Sequence, residues 1–344
     1  MLTKNHSLSQ MKFVLILLIG CCHQLCAQEV GVWYDTELQT DFTGHCNYAN
    51  LLYLSADYPL GEHFKLSAAT MSISKTREES LLDDLQGFSN IEANNQPLTL
   101  AVAGIGWEAN DHHSLFFGIR NVNEDYFTSP VTSLFINSSC GIFPTLAYNM
   151  DIANYPLASM GVHYSYTLPS LCLQASVYDG QGYDRLTGAA NLWRITPHSD
   201  GLFLITQTDW QWLDAHYYVG VAQNSGPLCG STVTQDGASA QTALWAYTEQ
   251  SLTDRLSLIV DYSHAFGHSS QCTDFFGFGG QYTWNRSTLG FFSDYAKFRY
   301  DSEWATELTY KYNLTSLLFL QASCQLIHHG SWQSVGILRM SVRI

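Results

Sequence analysis

Charged side chains are scarce in this sequence, at 13% of 344 residues, against about a quarter in a soluble globular chain. Long apolar runs are scarce too. Beyond the N-terminal leader no stretch approaches the roughly 20 consecutive apolar residues that cross a bilayer as a helix, and that excludes helical membrane spans. Metal-binding spacings such as C-x-x-C are missing from the rest of the chain, so neither a metal site nor a cofactor is expected. Positive charge is in deficit as well: 15 Lys and Arg stand against 30 Asp and Glu, a formal net charge of −15. That balance argues against nucleic acid as a partner. What is present is 46% hydrophobic and 14% aromatic residues, diluted almost evenly with Ser, Thr, Gln, Asn and Gly. Strands that show one face to lipid and the other to water have this composition. A soluble all-β protein is the competing reading.

The N-terminus narrows the choice. Lys12 is followed by the apolar stretch Phe13 to Cys22, then by Leu25-Cys26-Ala27 before Gln28, the pattern of a secretory signal with a small residue at the cut. Residues 1–27 therefore read as a signal peptide, with Met11 as an alternative start, and residues 28–344 as one domain. Leu18-Ile19-Gly20-Cys21 also resembles a lipobox that would leave Cys21 acylated. Both readings export the chain. The remaining cysteines, Cys46, Cys140, Cys172, Cys229, Cys272 and Cys324, then meet an oxidising compartment. Cys229 and Cys272 fall in outer loops of neighbouring hairpins and are candidates for a bridge. Cys172 and Cys324 fall within strands and point in opposite directions.

Segments of period-two alternation recur sixteen times between Gln28 and Ile344, predicting an all-β transmembrane antiparallel barrel of about 16 strands. Leu256, Leu258, Val260 and Tyr262 alternate with Ser257, Ile259, Asp261 and Ser263. Leu318, Leu320, Ala322 and Cys324 alternate with Phe319, Gln321 and Ser323. Thr306, Leu308, Tyr310 and Tyr312 alternate with Glu307, Thr309 and Lys311, a charged face that is costly in lipid and belongs in a wet lumen. Tight links (Ala109 to His112, Leu168 to Ser170, Gln250 to Asp254, Asn285 to Ser287, Leu314 to Ser316) alternate with long ones (Ser74 to Pro97, Val122 to Leu157, Gly180 to Asp200, Asn224 to Ala240, Ala265 to Asp274). Short periplasmic turns and long outer loops give that alternation. Trp33, Tyr34, Tyr53, Tyr166, Trp210, Tyr217, Trp245, Tyr247, Tyr262, Trp284, Tyr295, Tyr310 and Tyr312 are expected at the two membrane interfaces. The chain ends on an amphipathic strand, Leu338, Met340, Val342 and Ile344 against Arg339, Ser341 and Arg343, suited to closing a barrel.

Three stretches carry a family likeness. Gly118-Ile119-Arg120-Asn121-Val122-Asn123-Glu124-Asp125-Tyr126-Phe127 is followed by Leu134-Phe135-Ile136-Asn137-Ser138-Ser139-Cys140-Gly141-Ile142-Phe143-Pro144, and Leu85-Gln86-Gly87-Phe88-Ser89-Asn90-Ile91-Glu92 precedes them. Tyr155-Pro156, Gly161-Val162, Val177-Tyr178-Asp179-Gly180 and Leu338-Arg339 continue the order. The series resembles the carbohydrate-selective porins of the OprB type. That resemblance implies a sixteen-stranded barrel in a bacterial outer membrane, whose narrowed pore passes small sugars by passive diffusion.

Sixteen strands leave an aqueous channel, so selectivity depends on what narrows it. The long Val122 to Leu157 link carries Leu134, Phe135, Ile136, Ile142 and Phe143, which an exposed loop would hold poorly and an inward-folded constriction would bury. Sugars need flat aromatic surface and polar rims. Arg120 is the first candidate for contact at the constriction, with Trp107, Glu92, Asn90, Asn137 and Asp125. Lys65, His163, Gln174, Gln207, Asp209, Asp261, Asp294, Glu307, Lys311, Arg339 and Arg343 fall on polar strand faces and are expected to line the wall. The partners so implied are small sugars, outer-membrane lipids and the barrel-assembly machinery, with monomer and trimer both open. A general diffusion porin and a surface adhesin or receptor barrel are the alternatives. No Ser/His or Asp/His arrangement favours an enzyme.

Overall fold

The structure is a computed structural model and describes residues 29–226, 240–267 and 269–344. Its strands are β1 (Glu29–Thr40), β2 (Cys46–Pro59), β3 (Phe64–Lys75), β4 (Gln96–Asn110), β5 (His113–Arg120), β6 (Ser159–Leu168), β7 (Leu171–Asp179) and β8 (Leu202–Trp212). They continue with β9 (Ala215–Asn224), β10 (Gln241–Ser251), β11 (Leu256–Phe266), β12 (Cys272–Trp284), β13 (Ser287–Phe298), β14 (Ser302–Asn313), β15 (Leu318–His329) and β16 (Ser331–Arg343). Each strand pairs with its sequence neighbours, and β1 pairs with β16 to close the barrel. Closure runs in register from Trp33 opposite Arg343 to Thr40 opposite Gly336. Beyond it, Val32 and Ile344 exchange backbone hydrogen bonds of 2.8 and 2.9 Å. The terminal strand thus does what its pattern predicts.

Alternation sets the two surfaces. On β14, Trp304 and Leu308 are 43% and 53% exposed on the outside, whereas Glu303 and Glu307 are buried inside. Because side chains of a strand point alternately to opposite faces, one polar set inward forces the apolar set outward. Cys172 and Cys324 do face opposite ways, Cys172 inward beside Gln174 and Cys324 outward between Ala322 and Leu326. Four aromatics predicted at the membrane interfaces point inward instead. Trp33 donates to Asp35 at 2.7 Å and Tyr53 to Glu124 at 2.9 Å. Trp245 and Tyr247 are buried against the chain that fills the barrel. Each shares a face with inward polar neighbours, which a count of aromatics near strand ends does not register.

Every link at one end is short; at the other end the links 76–95, 121–158 and 180–201 are long. The alternation of long and short lapses toward the C-terminus, where the same end is closed by 267–271, 299–301 and residue 330 alone. Those strands need no long loops of their own, because 76–95 and 121–158 fold across the lumen and cover them. The main apolar core lies inside the barrel. Phe127, Leu134, Phe135, Ile142, Phe143 and Leu146 of 121–158 are buried against Trp245, Tyr247, Ile259, Phe275 and Phe292 of the wall. Burial of each large side chain contributes about 1.5–3 kcal/mol, so the five apolar residues singled out in this link act as an inward-folded plug.

Gly290 permits this approach. A Cβ there would run into Leu134 and the Phe135 ring. Gly290→Val is expected to keep the barrel but destabilise the protein by about 1–3 kcal/mol, the usual range for overpacking. Urea unfolding in lipid vesicles, followed by tryptophan fluorescence, measures it.

Candidate functional site: a narrowed lumen

A chain segment inside a barrel loses water as a partner for its backbone, and each buried amide left unpaired costs about 1–3 kcal/mol. Inward acids of the wall supply the missing acceptors. Glu307 accepts the amides of Ile136 and Asn137 at 3.0 Å. Glu249 accepts the Val131 amide at 2.7 Å together with the Ser129 hydroxyl. Glu303 accepts those of Leu85 and Gln86 at 2.5 and 3.0 Å. The two segments also join each other: Asn90 N–H donates to Ile136 O and Ser138 N–H to Gly87 O, each at 2.8 Å. The Tyr155 hydroxyl donates to Ile91 O at 2.8 Å. A cavity of about 450 Å³ at the long-loop end is lined by Lys75, Ser89, Glu92, Asn94 and Asp184 among others.

Several charged groups of the inner wall and the inward segments are held in pairs. Arg120, the last residue of β5, places Nη2 2.5 Å from Asp125 Oδ1, and its guanidinium lies 4.8 Å from the Phe116 ring centre. His163 Nε2 is 3.5 Å from the same carboxylate. Burial pushes the Asp125 carboxyl up to about 6 while Arg120 pulls it down. Its Oδ2 has no hydrogen-bond partner among the described residues. Across the lumen Arg339 bonds Glu37 and donates to Asn90 Oδ1 at 2.6 Å. Lys75 holds Glu92 at 3.3 Å.

Of the candidates for sugar contact, the structure thus brings Arg120 and Asp125 into direct contact and sets Asn90 and Glu92 on the other inward segment. Asn137 and Trp107 are corrected. Asn137 is 2% exposed; it caps a short 3-10 turn by accepting from Ser139 and donates to Gln325 at 3.2 Å, so it fastens the plug and meets no solute. Trp107 faces outward, stacked on Phe64 at 6.5 Å and in line with outward Ile105, because Gly104 and Gly106 occupy the inward positions of that stretch.

The wall candidates divide in the same way. Asp261, Asp294 and Glu307 are on the inner wall but buried beneath the plug. Asp209 pairs with His216 at 3.0 Å near the short-turn end, and Lys311, Arg339 and Arg343 face the lumen on β14 and β16. Lys75 and Glu124 also stand by the inward segments, Asp35 and Glu37 are buried on the inner wall, and all four escaped the sequence reading. The alternation of Asp35 and Glu37 with Tyr34 and Leu38 was the available clue. Cys229 lies outside the described residues; Cys272 is a buried free thiol at the start of β12, not an outer-loop residue. Among the described residues no group of His, Cys, Asp or Glu is arranged to hold a metal ion.

Two outcomes follow. Glu307→Ala strips the Ile136 and Asn137 amides of their acceptor; it is expected to raise single-channel conductance and its noise and to cost about 1–3 kcal/mol per orphaned amide. Asp84, which accepts the Phe88 amide at 2.7 Å, is pushed up to about 7 by burial and then by Glu303. The folded state therefore binds the extra proton between the ordinary carboxylate value and about 7, and stability falls as pH rises through that window. The slope is at most about 1.4 kcal/mol per pH unit. Hydrogen exchange of the Phe88 amide should speed up from pH 5.5 to pH 8 beyond the intrinsic rate, and Asp84→Asn should remove the excess.

Neither a family model nor a curated protein sequence matches the chain. Solved structures do. The high-pH structure of Pseudomonas putida OprB is similar with a TM-score of 0.76 at 14% identity, over 92% of this chain and 94% of that one. The low-pH structure of the same protein gives 0.62 at 16%, over 94% and 96%. A triple mutant of the Rhodopseudomonas blastica porin gives 0.61 at 9%, over 92% and 99%. At these identities the likeness is one of fold: the chain has the barrel architecture of the porins.

Proposed function

We propose that this protein is an outer-membrane porin that lets small sugars diffuse passively and selectively. The observation that carries the reading is the inward-folded 121–158 segment, fastened to one side of the lumen by an apolar core and wall acids. It leaves a passage edged by the Arg120–Asp125 pair, with the Arg339–Glu37 pair buried in the wall behind it. Fixed donors and acceptors of both signs, with these charges held in pairs, suit a neutral solute rich in hydroxyls. Pore diameter and lining hydrogen-bond groups are the general determinants of such selectivity. The outward apolar band meets lipid, and the exported chain is inserted by the barrel-assembly machinery. The protein is a channel and not an enzyme.

Liposome swelling with graded sugars, amino acids and salts tests this reading. The wild type should admit pentoses and hexoses several-fold faster than amino acids of equal size. Arg120→Ala should widen the passage and narrow that ratio toward one. Equal rates for all solutes of one size would overturn sugar selectivity and leave a general diffusion porin.

A further inference from the structure

Phe319 breaks the pattern of its strand. The next inward positions of β15 are Gln321, Ser323 and Gln325, and the inward Ile327 beyond them is buried against Leu82, Phe88 and Ile136 of the inward segments, yet this half-buried aromatic ring shares their face at the short-turn end. Two cations lie over it: Lys311 Nζ is 3.9 Å from the ring centre and the Arg343 guanidinium 5.5 Å. Arg343 also covers Trp33, at 3.9 Å. Trp33 itself is inward and 41% exposed, fixed by its bond to Asp35. Register sets them on adjoining strands β14, β15, β16 and β1: Phe319 faces Asn313 and Ser341, Lys311 and Arg343 each lie two residues from those partners, and Arg343 faces Trp33.

The charges here do not balance. Asp35 is matched by Arg343 at 2.9 Å and Glu37 by Arg339. Lys311 has no carboxylate within ion-pair distance among the described residues, so one ammonium is left over beside two lumen-facing rings. Cations over aromatic faces gain modestly, and such a cation can turn to a passing anion without breaking an ion pair.

Resting on the porin reading above, we propose that Lys311, Arg343, Phe319 and Trp33 form a subsite for a carboxylated monosaccharide, a hexuronate, at the short-turn end of the lumen. The apolar C–H face of the sugar lies on the rings, and its carboxylate takes the ammonium of Lys311. Binding is weak and salt-screened, as an exposed ion pair is, which allows release.

The test uses the full-length protein in planar bilayers and liposomes, with sodium glucuronate and glucose as probes. Glucuronate should half-saturate the channel at a concentration at least fivefold below glucose. Lys311→Met should raise that concentration at least fivefold for glucuronate and less than twofold for glucose, and Lys311→Arg should restore it. In the unaltered protein, 1 M salt should weaken glucuronate binding and leave glucose unchanged, a measurement independent of how any variant folds. Equal changes for the two sugars, or no effect of Lys311→Met or salt on glucuronate, would overturn the subsite. Failure of the sugar reading itself shows separately, as equal wild-type permeation of glucose and amino acids of its size.

Discussion

Everything that narrows this barrel depends on buried backbone amides of 76–95 and 121–158 finding acceptors inside the lumen. A β-barrel satisfies its own strands and leaves nothing over for a segment folded within it. Glu249, Glu303 and Glu307 on β10 and β14 supply the acceptors, each taking chain amides from an inward segment. Of the three, the sequence reading names only Glu307, as wall lining, and here it fastens the constriction. The acidic excess of the chain is thereby placed in part: several carboxylates are under the plug, out of reach of the passage.

That arrangement separates two jobs. The apolar core and the wall acids fix where the plug lies, and the pairs Arg120–Asp125 and Lys75–Glu92 border the passage, with Arg339–Glu37 buried behind them. Because Asn90 receives Arg339 and its own amide holds Ile136, the two inward segments and the closing strand form one connected unit. A change on β16 therefore reaches the plug through two hydrogen bonds.

The barrel was legible because alternation is a dense code: nearly every strand position reports its face, and Leu256 to Ser263 or Thr306 to Tyr312 could be phased without a partner. The buried character of 121–158 was legible too, since Phe135 and Phe143 in a loop have no cheaper location than an interior. Individual site residues were less so. Trp107 was misplaced because nothing local says that Gly104 and Gly106 hold the inward positions. Asn137 was misplaced because a capping amide and a sugar-binding amide look alike until the turn it caps is seen. Trp33 and Tyr53 were assigned to the membrane interfaces because aromatics near strand ends usually belong there; the acids two residues on, Asp35, or across the lumen, Glu124, hold them inside.

The same density explains why the fold persists at 14% identity to the OprB structure. Alternation is satisfied by any apolar residue outward and any polar one inward, so most positions can change without disturbing the barrel. What such a code leaves free is also what it cannot explain, and the informative positions are those that violate it. Phe319 is an aromatic ring beside the polar inward positions Gln321, Ser323 and Gln325, Trp33 is a large ring turned inward, and Lys311 has no counter-ion among the described residues. Their coincidence at one end of the lumen, within reach of one another, points to the solute as the reason for them.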